Sequence, residues 1–450
     1  MKKLLYLIMM FVLFCHYGFA QRGFVVENKR QSSKVNFKLV NNLIIVPVEI
    51  NGVELSFLLD TGVSKPIIFN FLNISDTLNL KNSETIYLRG LGEGESVKAI
   101  KSKNNIIKIG DALKLNQDIY EIFDSNLNFA PRLGFPVHGI IGFDVFRDLV
   151  VEINYSSKYI RLTNPEKYRY KKCRKCEVFN LEFYNNKPYI NAQVSVKQKI
   201  IPVKLLIDSG GSDSLWLFED DSLGIVIEHP YFEDFLGYGL GGSVHGKRST
   251  IDALILQSFV LKNSNVAYPD DSSISTAKNV KERNGTLAGN ILKRFNVIVD
   301  YQKGIVTFKK NSFFKEKFSY NKSGIELAHN GVRLVREKDT KLDAKSYSAQ
   351  SDNELNNNTS IVLDVRYKLT LKPAYAIVEL RENSPAFNAG LMIGDIVLSI
   401  NGKDASQYTL QQIIHQFYEA TGKQIRLEVE RNGMILKFDF TLQSPITKKT

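Results

Sequence analysis

Two short acidic motifs in this chain of 450 residues could do chemistry together: Asp60-Thr61-Gly62 and Asp208-Ser209-Gly210. Each ends an apolar run, FLLDTG at 57–62 and LLIDSG at 205–210. The glycine lets the backbone turn tightly and leaves the carboxylate at the turn. If two such turns meet, their carboxylates come into contact. Like charges that close cannot both ionise, so the pair shares one proton. The ionised member then acts as general base on a water between them. The protonated member polarises a carbonyl and later helps protonate the leaving group. Amide hydrolysis needs both roles at once, and a symmetric pair supplies them without a metal, a cofactor or a covalent intermediate. A single Asp-Thr-Gly is more often a plain turn; its recurrence is what points to chemistry.

The second motif lies within DSGGS, residues 208–212, which admits a rival reading with Ser209 as nucleophile. That chemistry needs a histidine base. Beyond the leader, the one histidine upstream of Ser209 is His138, in a core-packing context. Ile207 stands where a serine nucleophile's signature has glycine. The serine reading accounts for nothing in the first half of the chain, so Asp208 is assigned the chemistry and Ser209 a supporting role.

The elements that would position these residues repeat. Asp60 and Asp208 are 148 positions apart, Gly142 and Gly289 are 147, and Tyr155 and Tyr301 are 146. The surrounding segments are HGIIGFDVFRDLVVEINY (138–155) and GTLAGNILKRFNVIVDY (285–301). Between aspartate and glycine, each half carries a glycine-rich turn, RGLGEGES at 89–96 and GYGLGGS at 237–243. Four markers in one order at near-constant spacing indicate duplication. Both halves are rich in β-branched and aromatic runs broken by short polar or glycine segments. The expectation is two similar closed β lobes related by a pseudo-twofold axis, at 30–165 and 177–315.

These motifs resemble the aspartic protease superfamily. FLLDTG with Ile140-Ile141-Gly142, and LLIDSG with Leu287-Ala288-Gly289, match the family pattern of a catalytic loop backed by an apolar-apolar-Gly element. The resemblance implies Asp60 and Asp208 as catalysts, with Thr61, Gly62, Ser209 and Gly210 supporting the loops. It makes Gly90, Leu91, Gly92, Gly239, Leu240 and Gly241 flap candidates over a peptide substrate. Two comparable flaps are more similar to a retroviral-type dimer fused into one chain than to a pepsin. The family often has Ser or Thr after the glycine; Val63 and Gly211 stand there. Losing that donor to the charged form should raise the pKa of the pair and extend activity towards mildly acidic or neutral pH.

Lys2 and Lys3, the apolar run Leu4 to Cys15 and the exit Gly18-Phe19-Ala20 read as a signal peptide over 1–20. The expected location is periplasmic, cell-envelope or extracellular. A net charge of +12 favours anionic surfaces or substrates. Its densest run, KYRYKKCRK at 167–175, reads as a solvated connector, and nothing nearby resembles a nucleic-acid module. Cys173 and Cys176 are suited to a small-loop disulfide, whereas zinc would need a second ligand pair.

The chain from 324 to 445 reads as a third domain, with a polar loop at 338–360. YAIVELRENSPAFNAGLMIGDIVLSINGK, from Tyr375, resembles a bacterial PDZ domain. Ser384, Pro385 and Gly390 frame a short helix. Thr409 and Gln412 form a capping box for a second helix. The resemblance implies a peptide groove, with Lys372, Pro373, Ala374, Tyr375 and Leu410 as candidates, residues 371–375 being the carboxylate loop. The whole reads as a mainly β, monomeric aspartic endopeptidase with a PDZ module. The alternative is a non-catalytic peptide-binding protein retaining the fold.

Overall fold

The computed structural model describes residues 23–69, 77–78, 80, 84–92, 94, 96–124, 129–280, 282–338 and 367–446. The expected signal segment at 1–20, and the expected polar loop beyond Lys338, lie outside the described residues. The chain is mainly β, as its sequence indicates. It divides into two compact units, Met1–Ser323 with Gln443–Thr450, and Gly324–Leu442.

In the first unit each half is built on one hairpin. Strand Leu43–Ile50 pairs antiparallel with Val53–Leu59, and Lys187–Val196 pairs with Lys199–Asp208. Asn51 and Gly52 turn the first, both at positive φ; Lys197 and Gln198 turn the second, also both at positive φ. Two left-handed residues give the turn whose twist matches a hairpin. Asn-Gly adopts it readily, whereas Lys-Gln does so against its own preference.

The far strand of each hairpin ends in the acidic motif. Each is flanked in parallel by the strand of the apolar-Gly element. Phe57, Leu58 and Leu59 lie beside Gly139, Ile140 and Ile141; Leu206, Ile207 and Asp208 lie beside Thr286, Leu287 and Ala288. These strands are buried on both faces, which is why they read as continuous apolar runs. They sit in a nine-stranded sheet in the first half and an eight-stranded sheet in the second.

A six-stranded sheet joins the halves. At its centre the two copies of the duplicated strand pair with each other, Val151 opposite Val299 and Ile153 opposite Val297, antiparallel. Such pairing of equivalent segments is what a twofold interface produces when its subunits are fused. The main core runs through both halves, from Phe57 and Phe146 to Leu287 and Phe308.

Cys173 and Cys176 form a disulfide in the connector, with Cα atoms 5.5 Å apart. The second unit has a six-stranded sheet with Ile325–Lys338 at one edge and Met434–Thr441 at the other. Its helices are capped as the sequence indicates. Ser384 Oγ accepts from the Phe387 amide, and Thr409 with Gln412 makes the full capping box.

Candidate active site

The two acidic loops meet. The Thr61 amide donates to Ser209 Oγ at 3.0 Å, and the Ser209 amide donates to Thr61 Oγ1 at 3.0 Å. Each hydroxyl then donates across the junction, Thr61 to the Ile207 carbonyl at 2.7 Å and Ser209 to the Leu59 carbonyl at 2.8 Å. Both hydroxyl residues are buried. All four bonds exchange partners between the halves, so neither loop can move without the other.

This junction fixes where the carboxylates stand. The Gly62 amide donates to Asp60 Oδ1 at 2.6 Å. Asp208 Oδ1 accepts from Gly210 at 2.9 Å and from Gly211 at 3.1 Å. A β-carbon added to Gly62 would lie 3.1 Å from both Asp208 Oδ1 and Asp60 Oδ1. One added to Gly210 would lie 2.3 Å from Asp60 Oδ2. Glycine is required here because the carboxylate of the opposite half occupies the space a side chain would need. The apolar-Gly elements serve the same end. A β-carbon on Gly142 would lie 1.8 Å from the Asp60 carbonyl oxygen, and one on Gly289 would lie 2.7 Å from that of Gly211.

Burial pushes the Asp60 carboxyl well above the usual carboxylate range, and the Asp208 charge and hydrogen bond push it further. The Gly62 amide and the Lys187 charge oppose this. A proton therefore resides on Asp60 where an isolated carboxylate would have lost it. The arrangement has an acid and a base in contact, with a glycine floor, and can hold a water between them.

Val63 and Gly211 behave differently from each other. The Gly211 backbone amide replaces the missing side-chain donor on Asp208. The Val63 amide instead reaches its own loop's Asp60 carbonyl at 3.4 Å. The donor deficit thus falls on Asp60.

Ser209 is unavailable as a nucleophile, since its hydroxyl is committed at both ends. His138 Nδ1 accepts from the Ser56 amide at 3.0 Å, and burial lowers its pKa. It packs as a neutral ring in the first half.

The flap candidates lie at the tips of two hairpins. One joins Glu84–Leu88 to Val97–Ile109, and the other joins Phe232–Gly239 to Gly242–Leu256. The tips interlock. The Gly241 amide donates to the Leu91 carbonyl at 2.7 Å, and the Gly94 amide donates to the Gly241 carbonyl at 2.5 Å. Leu91 packs against the second half's clusters of Phe218 with Ile274 and of Leu236, Val244 and Ala267. Leu240 packs on the first half's cluster around Leu43, Leu58 and Ile67. Gly239 allows this contact, because a β-carbon there would lie 2.1 Å from the Leu91 carbonyl oxygen. A cleft of about 960 Å³ runs beside the tips, lined by Val97–Ile100, Phe123, Tyr238 and Leu240–Ser243; neither aspartate lines it.

Residues 46–145 match the aspartyl protease family model, and residues 377–431 match that of the PDZ domain. The chain carries an aspartyl protease domain and a PDZ domain. None of the curated proteins matches it. The protease match spans the first acidic loop, the first glycine-rich hairpin tip and the first apolar-Gly element. The second half lies outside that match and repeats the strand pairings of the first.

In the PDZ domain one expectation is corrected. Lys372, Pro373, Ala374 and Tyr375 do not form a loop. They are consecutive residues of strand Tyr367–Leu380, with Lys372 opposite Arg333, Pro373 opposite Val332 and Tyr375 opposite His329. Tyr375 is paired on its other side to Val397, which closes that edge. Pro373 is tolerated because the strand has a neighbour on one side only at that point. Leu410 is buried beneath its helix. The sheet edge beside that helix is Ile325–Lys338. Sequence reasoning did not single it out.

Lys187 was also missed. Its charge reaches both aspartates, and burial lowers its own pKa. Nothing in the local NNKPY turn marks it.

Proposed function

We propose that this protein is an aspartic endopeptidase in which Asp60 and Asp208 activate a water for peptide-bond hydrolysis. The reciprocal bonding of Thr61 and Ser209 carries the reading, because it brings two carboxylates from distant loops against one glycine floor. Asp60, protonated at pH values where a free carboxylate is ionised, polarises the scissile carbonyl. Asp208 takes the proton of the attacking water. The leaving amine is then protonated from the pair. The interlocked hairpin tips act as flaps that open for an extended peptide and exclude bulk water once closed.

The PDZ domain takes a peptide as an added strand at the Ile325–Lys338 edge, beside helix Leu410–Gln416. The leader-like first twenty residues support export to the periplasm, envelope or medium. Lobes at 30–165 and 177–315 and a PDZ region at 324–445 remain our division of the chain.

The test is cleavage of a mixed peptide library by Asp60→Asn, Asp208→Asn and Ser209→Ala. Each Asn variant should lose about 10³-fold or more of kcat, while Ser209→Ala keeps measurable turnover. Survival of both Asn variants would place the chemistry elsewhere. Peptide binding with no cleavage by wild type at any pH would instead support a non-catalytic peptide-binding protein.

A further inference from the structure

In the PDZ unit, strands Ile325–Lys338 and Tyr367–Leu380 outrun the sheet that holds them. The next strand, Ile396–Ile400, pairs with only Tyr375 and Ala376. Past a register shift between His329 and Val332 the two long strands continue by themselves, from Val332 opposite Pro373 to Lys338 opposite Tyr367. At about 3.3 Å per residue this is a ribbon roughly 20 Å long.

Side chains alternate between the ribbon's faces. Val332 and Leu334 share one face with Leu371, Leu369 and Tyr367 across the register. The four aliphatic residues are 63–67 % exposed, and Tyr367 is 47 % exposed. A soluble protein rarely leaves such a contiguous strip uncovered without a use for it. Arg336 belongs to the same face and lies over the Tyr367 ring at 3.9 Å. Arg333, Lys368 and Lys372 fall on the ribbon's other face with the one acid, Glu337. Arg333 is held by Asp404 and Lys372 by Glu337.

We propose that this ribbon docks on an anionic lipid bilayer. The apolar face enters the interfacial layer, Arg336 on that face meets lipid phosphates, and Lys368 on the other face adds to the attraction over the length of a screened field. An apolar strip bearing an aromatic ring and an arginine has the composition that seats at a membrane interface. The sign of the charge selects anionic headgroups. The ribbon's outer edges have backbone groups without ladder partners, so it rests at the hydrated interface and does not enter hydrocarbon. A protein partner would have to match the face in shape, whereas a bilayer accepts any exposed apolar strip. This inference is independent of the proposed hydrolysis.

The experiment is co-sedimentation of the full chain with vesicles of phosphatidylcholine alone or mixed with phosphatidylglycerol. Binding should require the anionic lipid and weaken as salt rises. The double variant Leu334→Thr/Leu369→Thr keeps strand preference while removing apolar area. It should lower partitioning by about tenfold or more. Arg336→Glu/Lys368→Glu should do the same, with hydrogen exchange of the PDZ core unchanged in both. Equal binding to the two vesicle types, or binding untouched by either variant, would overturn the proposal. So would absence of vesicle binding together with a dimer that the threonine variant dissociates, which would give the face to a second copy of the chain.

Discussion

Thr61 and Ser209, 148 positions apart, exchange hydrogen bonds in both directions, each hydroxyl receiving the other's amide. They are therefore one structural unit. Thr61→Val keeps shape but leaves the Ser209 amide without its acceptor, which should cost about 1–3 kcal/mol. Ser209→Ala should cost a similar amount. The double variant should cost clearly less than the two together, because each single change already disables the shared network. Denaturant unfolding of the four proteins in the cycle measures this; strict additivity would mean the two loops are held independently.

The shared proton sets the pH behaviour. The folded pKa of Asp60 is raised, chiefly by burial and then by Asp208. The pair should hold its working proton to higher pH than an isolated carboxylate would. We expect kcat/KM to persist into the mildly acidic or neutral range, and a profile peaking only below about pH 3 would contradict it. Stability follows with opposite consequence. The native state binds more protons than the unfolded chain, so this group's contribution is full below the ordinary carboxylate pKa. It is lost as pH rises through the raised one. Asp60→Asn removes that loss, so its gain in Tm over wild type should grow as pH rises above about 4.

The interlock of the two hairpin tips depends on glycine-sized contacts. Gly239→Ala would put a methyl against the Leu91 carbonyl, and neither backbone can yield without parting the tips. We expect KM to rise by about tenfold or more with global stability unchanged, since only a surface contact between hairpins is lost. Peptide titration against turnover separates the two effects. An unaltered KM would mean that the tips do not meet in the working enzyme.

The PDZ domain contains a polar anchor inside its core. Asp395 is 1 % exposed and receives Arg431 Nε at 2.6 Å and Nη2 at 2.7 Å, with the Met392 amide at 2.9 Å. Arg431→Met leaves that carboxylate buried without its cation and should cost about 3–5 kcal/mol. Hydrogen exchange of the full chain should show protection falling across 375–377 and 425–429, while the protease unit keeps its own.

The duplicated signal was legible because chemistry and packing impose it twice: an apolar strand, a hydroxyl and a glycine at each turn, and a glycine behind it. Asp60, Asp208, Thr61, Ser209 and the two glycine-rich tips could all be named as candidates on that pattern, and the structure brings the acidic loops together and the tips together. The 371–375 segment was misplaced because the PDZ resemblance puts a loop there, and Pro373 is tolerable in a strand only where one side lacks a neighbour. The distant Arg431 that makes Asp395 a core anchor has no local signature.

The sequence by itself determined that two equivalent acidic turns exist, that β-sheets carry them and that a separate module follows. Those facts depend on local residue type and period, which neighbours along the chain supply. Only the tertiary structure decided that the turns share one floor, that the donor deficit falls on Asp60 alone and that Lys187 faces both carboxylates. It also decided which strand of the PDZ sheet has an open edge. Each of these depends on distances between residues far apart in the chain, and electrostatics and packing respond to those distances alone.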